Sequence, residues 1–144
     1  MAAARLVQGE GFELRLRLDP MIPVPGWREE YSMLVEDVLQ RYELEPTRIT
    51  LGTLRGLWKT VKFARDRSWY AYLRGGEKTG WGLKIKPDLR EEMYRHVLSE
   101  LRGLGYSGDV ALCKETPEMW RRLSGLLPDP GTHPEWSGVR CNCV

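Results

Sequence analysis

Phe12-Glu13-Leu14-Arg15-Leu16-Arg17-Leu18-Asp19-Pro20-Met21-Ile22-Pro23-Val24-Pro25-Gly26-Trp27 is the stretch from which the rest of the chain is read. Leu14, Leu16 and Leu18 alternate with Arg15, Arg17 and Asp19, the period of a strand with one apolar and one polar face. Asp19-Pro20 is expected to stop that strand where a proline-rich loop begins. In α/β proteins the loop after the carboxyl end of a strand is where ligands are held, so this strand is expected to feed a site.

Working outward, the same plan recurs. Arg48-Ile49-Thr50-Leu51-Gly52-Thr53-Leu54-Arg55 reads as a second strand and Asp109-Val110-Ala111-Leu112-Cys113-Lys114-Glu115 as a third. Between them, residues 28–42 place Tyr31, Leu34, Val35, Val38, Leu39 and Tyr42 at helical spacing, and residues 57–66 read as a short helix. Residues 88–104 carry Leu89, Met93, Tyr94, Val97, Leu98, Leu101 and Leu104 ahead of a capping Gly105, and Pro117 opens a further helix to about Leu123. Residues 2–8 read as the last turns of a helix closed by Gly9 and Gly11.

The order strand, helix, strand, helix, strand, helix predicts parallel pairing. The expected fold is α/β, a partial (β/α) barrel of about three units over residues 1–127. Residues 68–86, aromatic on both sides of a glycine-rich turn, are expected to be a hairpin or ordered loop inserted between units, and residues 128–144 an irregular, cysteine-containing tail.

Composition sets outer bounds. With 144 residues the chain is one domain, and 22 basic against 20 acidic residues do not by themselves select nucleic acid. No apolar run reaches the roughly 18 residues of a membrane helix and no signal-peptide core is present, so the expectation is a cytoplasmic protein with no membrane partner. Three cysteines, Cys113, Cys141 and Cys143, do not make a disulfide framework.

Parallel strands would bring Asp19, Arg55, Cys113, Lys114 and Glu115 to one rim, either as a site or as solvated strand ends. Arg15 and Arg17 share a side with Asp19, where guanidiniums clamp a carboxylate or phosphate, or simply face solvent. Cys141 and Cys143, with Cys113, are candidate ligands for a soft metal. Trp69, Tyr70, Tyr72, Arg74 and Trp81 suit stacking on nucleic-acid bases, with packing as the alternative. No Gly-rich phosphate loop, catalytic-triad spacing or paired-histidine motif is present.

Leu16 to Trp27 followed by Tyr31, then Ile49-Thr50-Leu51-Gly52-Thr53-Leu54-Arg55, Leu89-Arg90-Glu91-Glu92-Met93-Tyr94, and Ala111-Leu112-Cys113-Lys114-Glu115 with Cys141-Asn142-Cys143, resemble radical S-adenosylmethionine proteins of the spore photoproduct lyase type. The resemblance implies half of a (β/α)6 barrel whose lumen holds a [4Fe-4S] cluster and S-adenosylmethionine, and whose lyase members reverse a thymine dimer in DNA. It implies that Arg17, Asp19, Arg55, Lys114 and Glu115 line the cofactor or substrate cavity, with Cys113 the candidate catalytic residue; a ligand or packing role for Cys113 stays open. The family's Cys-x-x-x-Cys-x-x-Cys cluster loop is missing from this sequence. The expectation is therefore the carboxyl-terminal half, not binding a cluster alone and paired either with a separate amino-terminal half-barrel chain or with itself. The alternative is a non-catalytic nucleic-acid-binding α/β module, with DNA as the candidate partner, or a degenerate remnant.

Overall fold

The computed structural model describes residues 1–127; the expected tail, with Cys141 and Cys143, lies outside the described residues. In chain order the elements are α1 (Ala2–Gly9), β1 (Arg15–Met21), α2 (Trp27–Glu36, running on as a π turn over Asp37–Arg41), β2 (Arg48–Thr53), β3 (Arg55–Gly56), α3 (Trp58–Phe63), β4 (Glu77–Thr79), β5 (Gly82–Lys84), α4 (Pro87–Gly103), β6 (Asp109–Leu112) and α5 (Pro117–Arg122), with a 3-10 helix over Ser68–Leu73. The architecture is mixed α/β.

Strands β1, β2 and β6 form one parallel sheet in the order β1-β2-β6. Their register sets Leu16 beside Ile49 and Ile49 beside Val110, then Leu18 beside Leu51 and Leu51 beside Leu112, so the apolar alternation of all three strands falls on one face. That face packs into a core with Val35 of α2 and with Met93, Tyr94, Val97, Leu98 and Leu101 of α4. The spacing of the α4 residues is the stripe expected of a helix laid on a sheet, and burying such side chains contributes about 1.5–3 kcal/mol each. Helices α2 and α4 are locked side by side: Trp27 meets His96 edge-on at 5.4 Å, Ser32 Oγ lies 3.0 Å from His96 Nε2, and Arg28 pairs with Glu92.

The other alternation carries no large apolar side chain. It consists of Arg15, Arg17 and Asp19 on β1, Thr50 and Gly52 on β2, and Ala111 followed by Cys113 on the β6 side. Parallel sheets in α/β proteins are usually apolar on both faces; here the second face is polar, and Thr50, Ala111 and Cys113 on it are nonetheless buried.

Three expectations are corrected in detail. β1 runs through Asp19-Pro20 to Met21 instead of stopping there; the pairing slips between Leu18 and Met21, where Pro20 has no N–H to give the ladder. The hairpin in the insert is built from β4 and β5 about Gly80-Trp81, with β3 added on the far side of β5, whereas Ser68–Leu73 is a 3-10 helix. Trp69, Tyr72 and Leu73 all reach the core from there, and three residues at i, i+3 and i+4 share a face only in a helical conformation. β6 ends at Leu112 rather than Glu115, because Lys114 has a left-handed backbone (φ 51°) that breaks the alternation. Among the described residues no helix is long and apolar enough to cross a membrane.

Candidate functional site

The polar face converges on Asp19. Its carboxylate Oδ2 accepts hydrogen bonds from Arg17 Nη2 at 2.8 Å and Nε at 3.1 Å, and from Arg55 Nη2 at 2.9 Å. The side chain is only 4% exposed. It lies against Gly52, where a Cβ would stand 2.6 Å from Oδ1, so only glycine leaves room for the carboxylate on the sheet. Burial alone would raise the Asp19 carboxyl, but Arg55 and Arg17 outweigh it and hold it below the usual carboxylate range. Burial likewise works against the charge of Arg55, and Asp19 again reverses the sign, so the guanidinium stays firmly protonated.

Arg17 reaches from β1 across β2 to contact Cys113 Sγ, and Arg55 Nη2 stands 4.0 Å from the same sulfur. Cys113 is fully buried. Burial and then the Asp19 carboxylate push its thiol up against the pull of both arginines, so at neutral pH it is a thiol and not a thiolate. Without a bound metal, chemistry of this sulfur starts from a neutral S–H.

Glu115 is close in sequence but turned elsewhere. Its Oε1 accepts from Lys84 Nζ at 2.7 Å and Tyr94 OH at 2.8 Å, with Thr53 Oγ1 at 3.4 Å and Arg90 Nε at 3.8 Å. Its Oε2 accepts from the Thr116 backbone N–H at 3.1 Å. Lys84 and Glu115 side chains are both 0% exposed. Burial lowers the lysine against the pull of Glu115, and burial followed by Glu115 holds the Tyr94 phenol well above its ordinary value, keeping it a donor. Arg90 extends the network to Glu77 at 2.6 Å. This cluster ties the hairpin, α4 and the end of β6 together. Lys114 instead points to solvent, its Nζ 5.8 Å from the ring of Trp81.

The rim thus unites Arg17, Asp19, Arg55 and Cys113, while Glu115 belongs to the adjoining buried network and Lys114 to the surface. Beside Asp19 and Arg55 opens a cleft of about 390 Å³, also lined by Pro20, Ile22, Leu54, Leu57, Thr60 and Trp69. Of the aromatic insert, Trp69 and Tyr72 lean on the core, while Tyr70, Arg74 and Trp81 are exposed. Two exposed rings outside the expected set, Trp58 and Phe63 on α3, flank Lys62, whose ammonium lies 5.5 Å and 5.4 Å from their centroids. Sequence reasoning did not place Lys84 or Arg90 in this buried network; Lys84, read from the sequence as one of the basic residues beside the insert's aromatics suited to phosphate contacts, is instead fully buried against Glu115. Arg90 had a signal: it occupies the i−3 and i−4 position to Met93 and Tyr94, on the apolar stripe of α4.

Among the described residues there is one cysteine and no group of three or more His, Cys, Asp or Glu placed to hold a metal ion. A [4Fe-4S] cluster does not fit them. Arg55 lines the cleft, with its Nε and Nη1 buried and without a hydrogen-bond partner. No family model matches this chain, nor does any curated protein or solved structure.

Proposed function

We propose that this chain is the distal, ligand-facing half of a radical S-adenosylmethionine protein of the spore photoproduct lyase type, acting on DNA photoproducts or related substrates only together with a cluster-bearing half-barrel. The observation that carries this reading is the parallel sheet with an apolar face under helices and a polar face whose carboxyl rim gathers Arg17, Asp19, Arg55 and Cys113. In a complete barrel the polar faces of such strands line the lumen.

In this reading the chain's own residues bind and orient. Arg17 and Arg55 receive the negative charge of a ligand, Asp19 fixes both guanidiniums in place, and Cys113 presents a neutral S–H beneath them. S-adenosylmethionine, when bound, supplies a carbon radical generated at the cluster of the other half; no step of that generation falls to the residues described here. The buried Glu115 network holds the rim rigid.

The test is to mix the chain with the cluster-bearing half, reconstitute iron and sulfide anaerobically, and record visible absorbance and 5′-deoxyadenosine release. Both signals in the mixture, and release reduced by Arg17→Gln, are expected; no release from the mixture rejects the reading. A second reading, a nucleic-acid-binding module, draws on the exposed Trp58, Phe63 and Trp81 with Lys62 and Lys114 over their rings. It requires salt-dependent affinity for single-stranded DNA or RNA by the chain alone, measured by fluorescence anisotropy at two ionic strengths.

A further inference from the structure

The segment from Leu57 to Lys86 carries eight basic and two acidic residues, whereas the whole chain carries 22 and 20, so the rest of the chain is net acidic. Ion pairing repeats the contrast. Outside the segment, exposed arginines such as Arg5, Arg28, Arg95 and Arg121 are held by Glu43, Glu92, Glu91 and Glu118. Inside it, among the described residues, the exposed Lys59, Arg65, Arg74, Lys78 and Lys86 have no acidic partner. The two acids there are already engaged, Asp66 by the Ser68 backbone N–H and hydroxyl and Glu77 by Arg90. The positive charge is therefore gathered on one surface and left open to a polyanion. Four of the five exposed aromatic rings among the described residues, Trp58, Phe63, Tyr70 and Trp81, lie in the same segment. The fold joins its pieces: Gly56, just ahead of α3, is crowded by Val61 of that helix and by Tyr70 and Leu73 of the 3-10 helix, and Gly82 lies against the Gly56 carbonyl and Leu57 Cα. Lys114 adds a further cation beside Trp81. Leu57, Thr60 and Trp69 of these elements also form a wall of the cleft.

We propose that this surface binds a single strand of nucleic acid, its phosphates on Lys59, Lys62 and Lys114, its bases stacked on Trp58 and Trp81, and one base taken into the cleft against Trp69. The proposal rests on the second reading above, to which it adds the strand state, the contact surface and a base site; it needs no radical chemistry. Cations track the backbone while rings take the faces of successive bases, whatever their sequence. A duplex keeps those faces stacked on one another, so the rings meet them only in a single strand or at a splayed base. The cleft, about 390 Å³ with an apolar wall of Leu54, Leu57 and Trp69, has room for one base and stacks it without a charged contact. An anionic lipid surface offers the same charge, but it takes side chains that protrude, not a ring packed on the core and recessed in a cleft as Trp69 is.

The test uses the full chain with three labelled probes, an oligothymidylate of about twelve nucleotides, an abasic strand of the same length and a duplex of the same length, titrated by fluorescence anisotropy at two ionic strengths. Vesicles containing phosphatidylserine are tested alongside by co-sedimentation. Oligothymidylate is expected to bind at least about tenfold tighter than the abasic strand or the duplex, and more weakly as salt rises. Trp58→Ala, at an exposed position, should weaken oligothymidylate about tenfold and leave the salt slope unchanged. Lys59→Ala should weaken all three probes alike and lower the slope by about one. In the isotopically labelled chain the Trp69 indole N–H resonance should shift with oligothymidylate and stay in place with the abasic strand. Salt-dependent but equal affinity for the three probes keeps the second reading and overturns the base-stacking surface, as does full affinity in Trp58→Ala or an unmoved Trp69 resonance. No binding to any strand, or binding to vesicles alone, removes both.

Discussion

At the scale of single residues the rim is decided by how little space lies above β2. Gly52 is the floor on which the Asp19 carboxylate rests, and the carboxylate is pinned from two sides by Arg17 and Arg55. Gly52→Ala forces that carboxylate aside and is expected to cost about 1–3 kcal/mol in urea unfolding, with the Arg55 side chain released along with it. Protonation reports on the same arrangement. Because the folded Asp19 carboxyl lies below its unfolded value, the unfolded chain binds more protons between the two, so this contribution is complete above the ordinary carboxylate range and is lost as pH falls through the depressed value. Stability followed by urea unfolding from neutral to acid pH should therefore decline, and Asp19→Asn should flatten part of that decline. Cys113→Ala, by contrast, removes only a neutral thiol at the foot of the arginines and is expected to cost about 1 kcal/mol; a loss of several would make it a core-packing residue.

At the scale of elements, the junction of hairpin, α4 and β6 depends on charges that no water reaches. Lys84 comes from β5, Arg90 and Tyr94 from α4, and Glu115 from the turn after β6. A buried ion pair contributes little net stability, yet deleting one partner strands the other. Lys84→Met is expected to destabilise by about 3–5 kcal/mol, and adding Glu115→Gln to it should recover a large part of that loss, a coupling read directly from a double-mutant cycle. The hairpin is further fixed by close backbone approach: a Cβ at Gly76 would stand 1.8 Å from the Lys84 carbonyl oxygen, so no other residue is tolerated where the chain passes behind β5. This junction is what keeps β3 and its Arg55 at the end of β2, and thereby sets one wall of the cleft.

At the scale of the whole molecule, β1 and β6 are the outer strands of the parallel sheet among the described residues, each with β2 as its strand neighbour. In the proposed assembly a covering half-barrel packs against this sheet. A chain that binds such a half in its folded state is stabilised by mass action, so its melting temperature should rise with the concentration of the cluster-bearing half and should not respond to an unrelated protein at the same concentration. An unchanged melting temperature would count against the proposed assembly.

The local pattern of the sequence was sufficient for the strands, the main helices and the polar alternation of β1, because period-2 and period-3.6 burial are properties of neighbours along the chain. It also sufficed to gather Asp19, Arg55 and Cys113, since parallel strands put their ends on one rim whatever surrounds them. What tertiary structure alone decided was orientation and pairing. Ser68–Leu73 became helical because its aromatic residues had to meet one core, overriding their strand propensity. Glu115 turned inward because Lys84 and Tyr94, far away in sequence, offered it a buried partner and donor. The unpartnered nitrogens of Arg55 likewise follow from which side chains fold around it, a matter of packing that no spacing along the chain encodes.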